Sequence, residues 1–143
     1  MKNSLFLTIF LIGGFINCSM TRQKNSEAVK QLMIGNWHLL NSFQPQTNKY
    51  SYPESDTFDV ITFFKDFSYK SKTHVFKTSG TWELNQDNTR FKLIPKDSNT
   101  PFVNRKETFD WIILKLDNDT LRYQIDRKGI HDKLIKTYIK TIK

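Results

Sequence analysis

From Trp37 to the C-terminus the chain is dominated by a two-residue period. Trp37, Leu39, Asn41 and Phe43 alternate with His38, Leu40 and Ser42, and the stretch Phe58 to Phe64 is β-branched and aromatic. Phe67, Tyr69, Ser71 and Thr73 alternate with Ser68, Lys70 and Lys72. His74, Phe76, Thr78, Gly80, Trp82 and Leu84 alternate with Val75, Lys77, Ser79, Thr81 and Glu83. Phe91 and Leu93 alternate with Arg90 and Lys92, and Leu121, Tyr123 and Ile125 with Arg122, Gln124 and Asp126. Phe109 to Leu116 and Lys133 to Ile142 complete the set. This period is that of half-buried strands. Lys65-Asp66, Asn85 to Asn88, Asp117 to Asp119 and Arg127 to Gly129 read as turns, and Pro95 to Pro101 as a loop. Before the strands, Ser26 to Ile34 has helical spacing: Ser26 can cap it, Val29, Leu32 and Met33 share a face, and Gly35 ends it.

The pattern predicts an all-β domain of eight strands with a short N-terminal helix. Short connections force antiparallel neighbours. An up-and-down barrel removes both sheet edges, and the absence of long crossovers favours it over the rival, a two-sheet sandwich.

The N-terminus follows a different pattern. Met1, Lys2 and Asn3 precede an apolar run, Leu5 to Ile16. That run is too short to span a bilayer, which takes about 20 residues, but fits the core of an export signal. Cys18, the only Cys, follows it, and polar residues follow Cys18. This arrangement resembles a bacterial lipoprotein signal. The resemblance implies removal of residues 1–17 and a Cys18 bearing diacylglycerol and a further acyl chain such as palmitate. Asn17 stands where the family prefers a small residue, and Phe15 where it often has Leu. Residues 18–26 then form a lipidated tether and residues 27–143 the domain. With no acidic cluster after Cys18, the implied address is the bacterial cell envelope, lipid-anchored and facing the periplasm.

Composition narrows the function classes. Twelve Phe, five Tyr and three Trp can fill a core, which argues against disorder. One Cys excludes an intramolecular disulfide. The 22 Lys and Arg outweigh 14 carboxylates for a net charge of +8. The basic residues are spread along the strands, so they read as a solvated sheet face that could rest on anionic lipid, not as a nucleic-acid stripe.

One motif repeats: Gly35-Asn36-Trp37-His38-Leu39 and Gly80-Thr81-Trp82-Glu83-Leu84. Gly and Trp two apart share a strand face, so the Gly admits a close approach beside a large plug. A G-x-W opening the first strand of a meander resembles the lipocalins. The second pentad resembles short lipocalin-like domains of Gram-negative lipoproteins, over residues 35 to about 141. The resemblance implies that Trp37 closes one barrel end, that Gly35, Gly80 and Trp82 are structural, and that the interior takes a small hydrophobic molecule. Lipocalins carry an Arg near the last strand that packs over this Trp. Here that strand holds Lys133, Lys136 and Lys140, leaving Arg122 or Arg127 to stand in.

The chemistry of catalysis is missing from the pattern. His38, His74 and His131 have no His or Cys at metal-ligand spacing, and there is no nucleophile elbow, P-loop or G-x-G-x-x-G. The expectation is a binding protein without metal, cofactor or enzymatic activity. Alternation nominates Leu39, Phe43, Phe58, Val60, Tyr69, Phe76, Thr78, Phe91, Leu93, Trp111, Tyr123 and Tyr138 as lining residues. Thr78 and Gly80 are small enough to leave space beside Phe76 and Trp82. Tyr50 and Tyr52 are expected as exposed aromatics at a rim. The alternative is a filled barrel working through its surface on a protein partner.

Overall fold

A computed structural model describes residues 26–53, 59–74, 76–98, 108–125 and 133–141. The expected signal, Cys18, most of the tether, Phe58, Arg127 and His131 lie outside the described residues. Helix α1 covers residues 26–33. Strands follow as β1 (Gly35–Gln44), β2 (Lys49–Ser51), β3 (Val60–Phe63), β4 (Ser68–Lys72), β5 (Lys77–Leu84), β6 (Arg90–Ser98), β7 (Phe109–Leu116), β8 (Thr120–Ile125) and β9 (Leu134–Lys140). All pairings are antiparallel and sequential from β3 to β9. β1 pairs with both β3 and β9, which closes eight strands into a barrel. β2 is a short appendage on the far half of β1, made where the chain turns back through Asn48 at φ +52°.

Two details differ from the sequence reading. Pro95 to Ser98 continue β6 instead of forming a loop. Pro95 lacks an N–H and is tolerated because the ladder is already interrupted there: Ser79 pairs with Asp97 and Gly80 with Pro95, so Lys96 bulges out. Gly80 does not leave interior space. A Cβ at Gly80 would run into the Ile94 carbonyl and the Pro95 backbone, so its missing side chain is filled by β6 itself.

The inward face forms one core built from Trp37, Leu39, Ile61, Phe63, Tyr69, Trp82, Phe91, Leu93, Leu121, Tyr123 and Tyr138, with Met33 from the helix. Phe63 meets both Trp82 and Phe91 edge-on, at 5.5 Å and 5.8 Å between ring centroids. Edge-to-face geometry sets the positive ring rim against a negative ring face, so these contacts fix relative positions as well as burying area.

One barrel end is plugged. Trp37 is fully buried, and its Nε1 donates to the Met33 carbonyl at 2.8 Å. The Lys140 ammonium stands 4.9 Å from the centre of the Trp37 ring and donates to the Leu32 carbonyl at 2.9 Å. Lys140 therefore takes the place over Trp37 that had been expected of Arg122 or Arg127; Arg122 lies opposite Lys115 and Thr137, on the outer face. Gly35 holds φ +141°, and a Cβ there would overlap the Lys140 side chain. Gly35 is therefore required both by its backbone conformation and by the lysine lying across it.

Three tight turns at this end share one device. Asp66 accepts from the Ser68 N–H and hydroxyl, and Asp87 from the same groups of Thr89. Asp117 accepts from the N–H groups of Asp119 and Thr120. These Asx-type turns hold all three carboxyls below their usual pKa range, chiefly through the bonds from the Ser68 and Thr89 side chains and, for Asp117, from Lys115.

The plug should behave as one unit. Trp37→Ala removes a fully buried ring and should destabilise the fold by about 3–5 kcal/mol, through lost burial and the cavity left behind. Thermal or denaturant unfolding measures this, and a midpoint unchanged within a degree would contradict a closed end built on Trp37.

Candidate functional site

The end opposite the plug is where β1 and β3 separate and where β9 begins. Asp59 stands just ahead of β3, with its carbonyl accepting the Leu39 N–H at 3.0 Å and its backbone at φ +60°. Lys136 lies on the inward face of β9, directly across from Tyr123 on β8. The two side chains pair at 3.5 Å and are about four-fifths buried, with 22% exposure at Asp59 and 19% at Lys136.

Below this pair runs an aromatic stack. Trp111 and Tyr123 lie parallel, 4.5 Å apart with 1° between planes, and Tyr123 stacks on Tyr138 at 5.6 Å and 17°. The Tyr123 hydroxyl donates to that of Tyr138 at 3.4 Å. Burial, then the neighbouring Tyr138 hydroxyl and the Asp59 charge, push the Tyr123 phenol well above its ordinary pKa. Burial also raises Tyr138, partly opposed by Lys136. Both rings are therefore neutral hydrogen-bonding groups on an apolar wall at neutral pH.

The nominated residues sort by strand register. Leu39, Tyr69, Thr78, Phe91, Leu93, Tyr123 and Tyr138 are buried on the inward face, and Trp111 packs against them. Val60 pairs with His38 on the outer side, because Ile61 is the inward residue of that strand. Phe43 is also turned away. Leu39 pairs with Tyr138 and Asn41 with Thr137, so Leu40 is a bulge residue that reverses the alternation beyond it. Phe43 packs instead on Tyr50, with 4.6 Å between centroids, and Tyr50 on Tyr52 at 6.5 Å. Tyr50 and Tyr52 are exposed, as expected of rim aromatics. Phe76 is half-buried, lies just before β5 and is not among the buried core residues.

Asp59 and Lys136 were not foreseen as interior residues. The available signal was parity: Lys136 is two residues from Tyr138 on the same strand. A second bulge at Leu114 similarly restores Leu116 to the inside beside Ile113. Among the described residues no group of three His, Cys, Asp or Glu is placed to hold a metal ion.

No protein-family model matches the chain, and no curated protein matches it. Among solved structures the chain is similar to a lipocalin-like protein from Bacteroides uniformis, with a TM-score of 0.54 and 16% sequence identity, covering 77% of this chain and 99% of that one. The fold is thus a lipocalin-like closed antiparallel barrel of eight strands with one short helix. Barrels of this size enclose either packed side chains or one small ligand.

The two buried phenols set an alkaline limit on stability. A group whose folded pKa is raised contributes fully below its unfolded value, and the contribution is lost as pH rises through the folded one. Unfolded Tyr titrates near 10. The thermal midpoint should therefore fall as pH rises from about 10, more steeply for the native protein than for Tyr123→Phe. Melting curves of both across that range test the assignment, and parallel curves would contradict it.

Proposed function

We propose that this protein is a lipid-anchored binding protein of a bacterial cell envelope that takes one small, largely apolar molecule through the barrel end opposite the plug. The observation that carries this reading is a single ion pair, Asp59–Lys136, set at the far end of an aromatic wall of Trp111, Tyr123 and Tyr138. A mostly apolar enclosure with a few fixed polar groups is the usual character of a small-molecule site. The reading is one of binding, with no reaction, metal, cofactor or nucleic acid involved. On this reading the Cys18 anchor joins the domain through the tether that precedes α1, and the domain faces the periplasm.

A second reading, action on a protein partner through the surface, draws on the exposed Tyr50 and Tyr52 beside Phe43. Ligand binding separates the two readings. A neutral fluorescent naphthylamine probe should bind the mature domain saturably with one site. Its affinity should change little between low and high salt, because apolar burial supplies most of it, at about 25 cal/mol per Å² before association costs. Absence of saturable binding would favour the surface reading. The anchor has its own test: mass spectrometry of membrane-extracted protein should find an acylated N-terminal Cys18, and Cys18→Ala should release or stall the protein with its fold intact. A soluble product starting at another residue would exclude the anchor.

A further inference from the structure

Among the described residues, three buried side-chain polar atoms stand without a geometric hydrogen-bond partner: Asp59 Oδ1, the Tyr69 hydroxyl and Arg122 Nε. Arg122 sits on the outer face of β8, opposite Lys115 and Thr137. The other two belong to the interior. Leaving such a group desolvated and unpaired is costly, and more so for a charged one. A folded chain bears that cost where function requires it or where another molecule completes the bond.

Asp59 is the more telling of the two. Its Oδ2 is held by Lys136, while Oδ1, on the same carboxylate, is shielded and accepts nothing. An ionised carboxylate can only accept hydrogen bonds, so the missing partner is a donor. The donor's charge is also constrained. Lys136 stands 3.5 Å from the other oxygen, so an ammonium at Oδ1 would sit beside an existing cation. A carboxylate guest would meet Asp59 itself. A neutral hydroxyl meets neither objection. Tyr69 is 1% exposed and its hydroxyl stands beside the Thr78 side chain, which eases its burial, so Tyr69 calls for no guest.

We propose that Asp59 reads the head group of the ligand, and that the ligand is a neutral amphiphile whose hydroxyl donates to Asp59 Oδ1 while its apolar part lies against the partly exposed Trp111. The inference rests on the binding function proposed above and adds the chemical class of the ligand. Lys136 is a positioning residue here, since it fixes the carboxylate and leaves one oxygen to the guest.

Three probes with a common tail test it: decanol, decyl methyl ether and decanoate, each measured by displacement of the naphthylamine probe from the native protein. A hydrogen bond to a charged acceptor predicts that decanol binds about tenfold or more tightly than the ether, which has no donor, and than the carboxylate. In Asp59→Ala the preference for decanol over the ether should vanish and decanoate should gain, because Lys136 loses its partner. Equal affinities for the three probes in the native protein, or tightest binding of decanoate, would overturn the role of Asp59 and leave the binding function standing. Binding of none of them, nor of the naphthylamine probe, would overturn both. The native-protein comparison needs no variant, so it decides the matter even if Asp59→Ala fails to fold.

Discussion

The structure depends on how the last turn of α1 is satisfied. A helix leaves its final carbonyls without intrahelical partners. Here Lys30 O receives the Ile34 N–H, Met33 O receives the Trp37 indole and Leu32 O receives the Lys140 ammonium. A cation at a helix C-terminus is also favoured by the aligned peptide dipoles. Lys140 must leave water to reach that place, and burial lowers its pKa. The carbonyl bond and the face of the Trp37 ring offset that penalty. Because Lys140 is near the end of β9 and Trp37 near the start of β1, the same contact fastens the two strands that close the barrel.

Gly35 shows how a single absent side chain serves that contact. Its backbone conformation excludes most residues, and its empty Cβ position is where Lys140 crosses. Gly80, in the second pentad, serves a different contact: the β6 backbone presses against it where Pro95 and the Lys96 bulge bend that strand inward. The two Gly-x-Trp pentads are alike in sequence because both admit a neighbour beside a Trp. They differ in whether the neighbour is a side chain or a main chain.

Much of this was legible in the sequence. The short helix, the strand alternation in β4, β5 and β8, the aspartate turns and the closed architecture follow from period, capping and turn chemistry, since each is local. What escaped was set between strands. The bulge at Leu40 carries no Gly or Pro to announce it, and it alone moved Phe43 from the expected lining to the outer aromatic cluster with Tyr50. Val60 and Ile61 are both good strand formers, so composition could not say which faced inward; the register with Trp37 decided it. Lys136 and Asp59 looked like ordinary solvated charges, and only the closure of β9 onto β1 turned Lys136 inward.

That last point bears on the guest proposed for the barrel. A buried ion pair is poor value as a stabiliser, because desolvation of both charges offsets their attraction, and an apolar pair of similar size often serves as well. The Asp59–Lys136 pair is also incomplete, with one carboxylate oxygen shielded and unmatched. Packing alone therefore gives no account of why two charges stand there at the end of a wall of stacked rings. Selectivity does, because a site that must bond a head group rejects a guest lacking it far more strongly than an apolar pocket rejects one of the wrong length. On the proposed reading the aromatic wall would supply affinity for many apolar molecules, and the unmatched oxygen of Asp59 would choose among them.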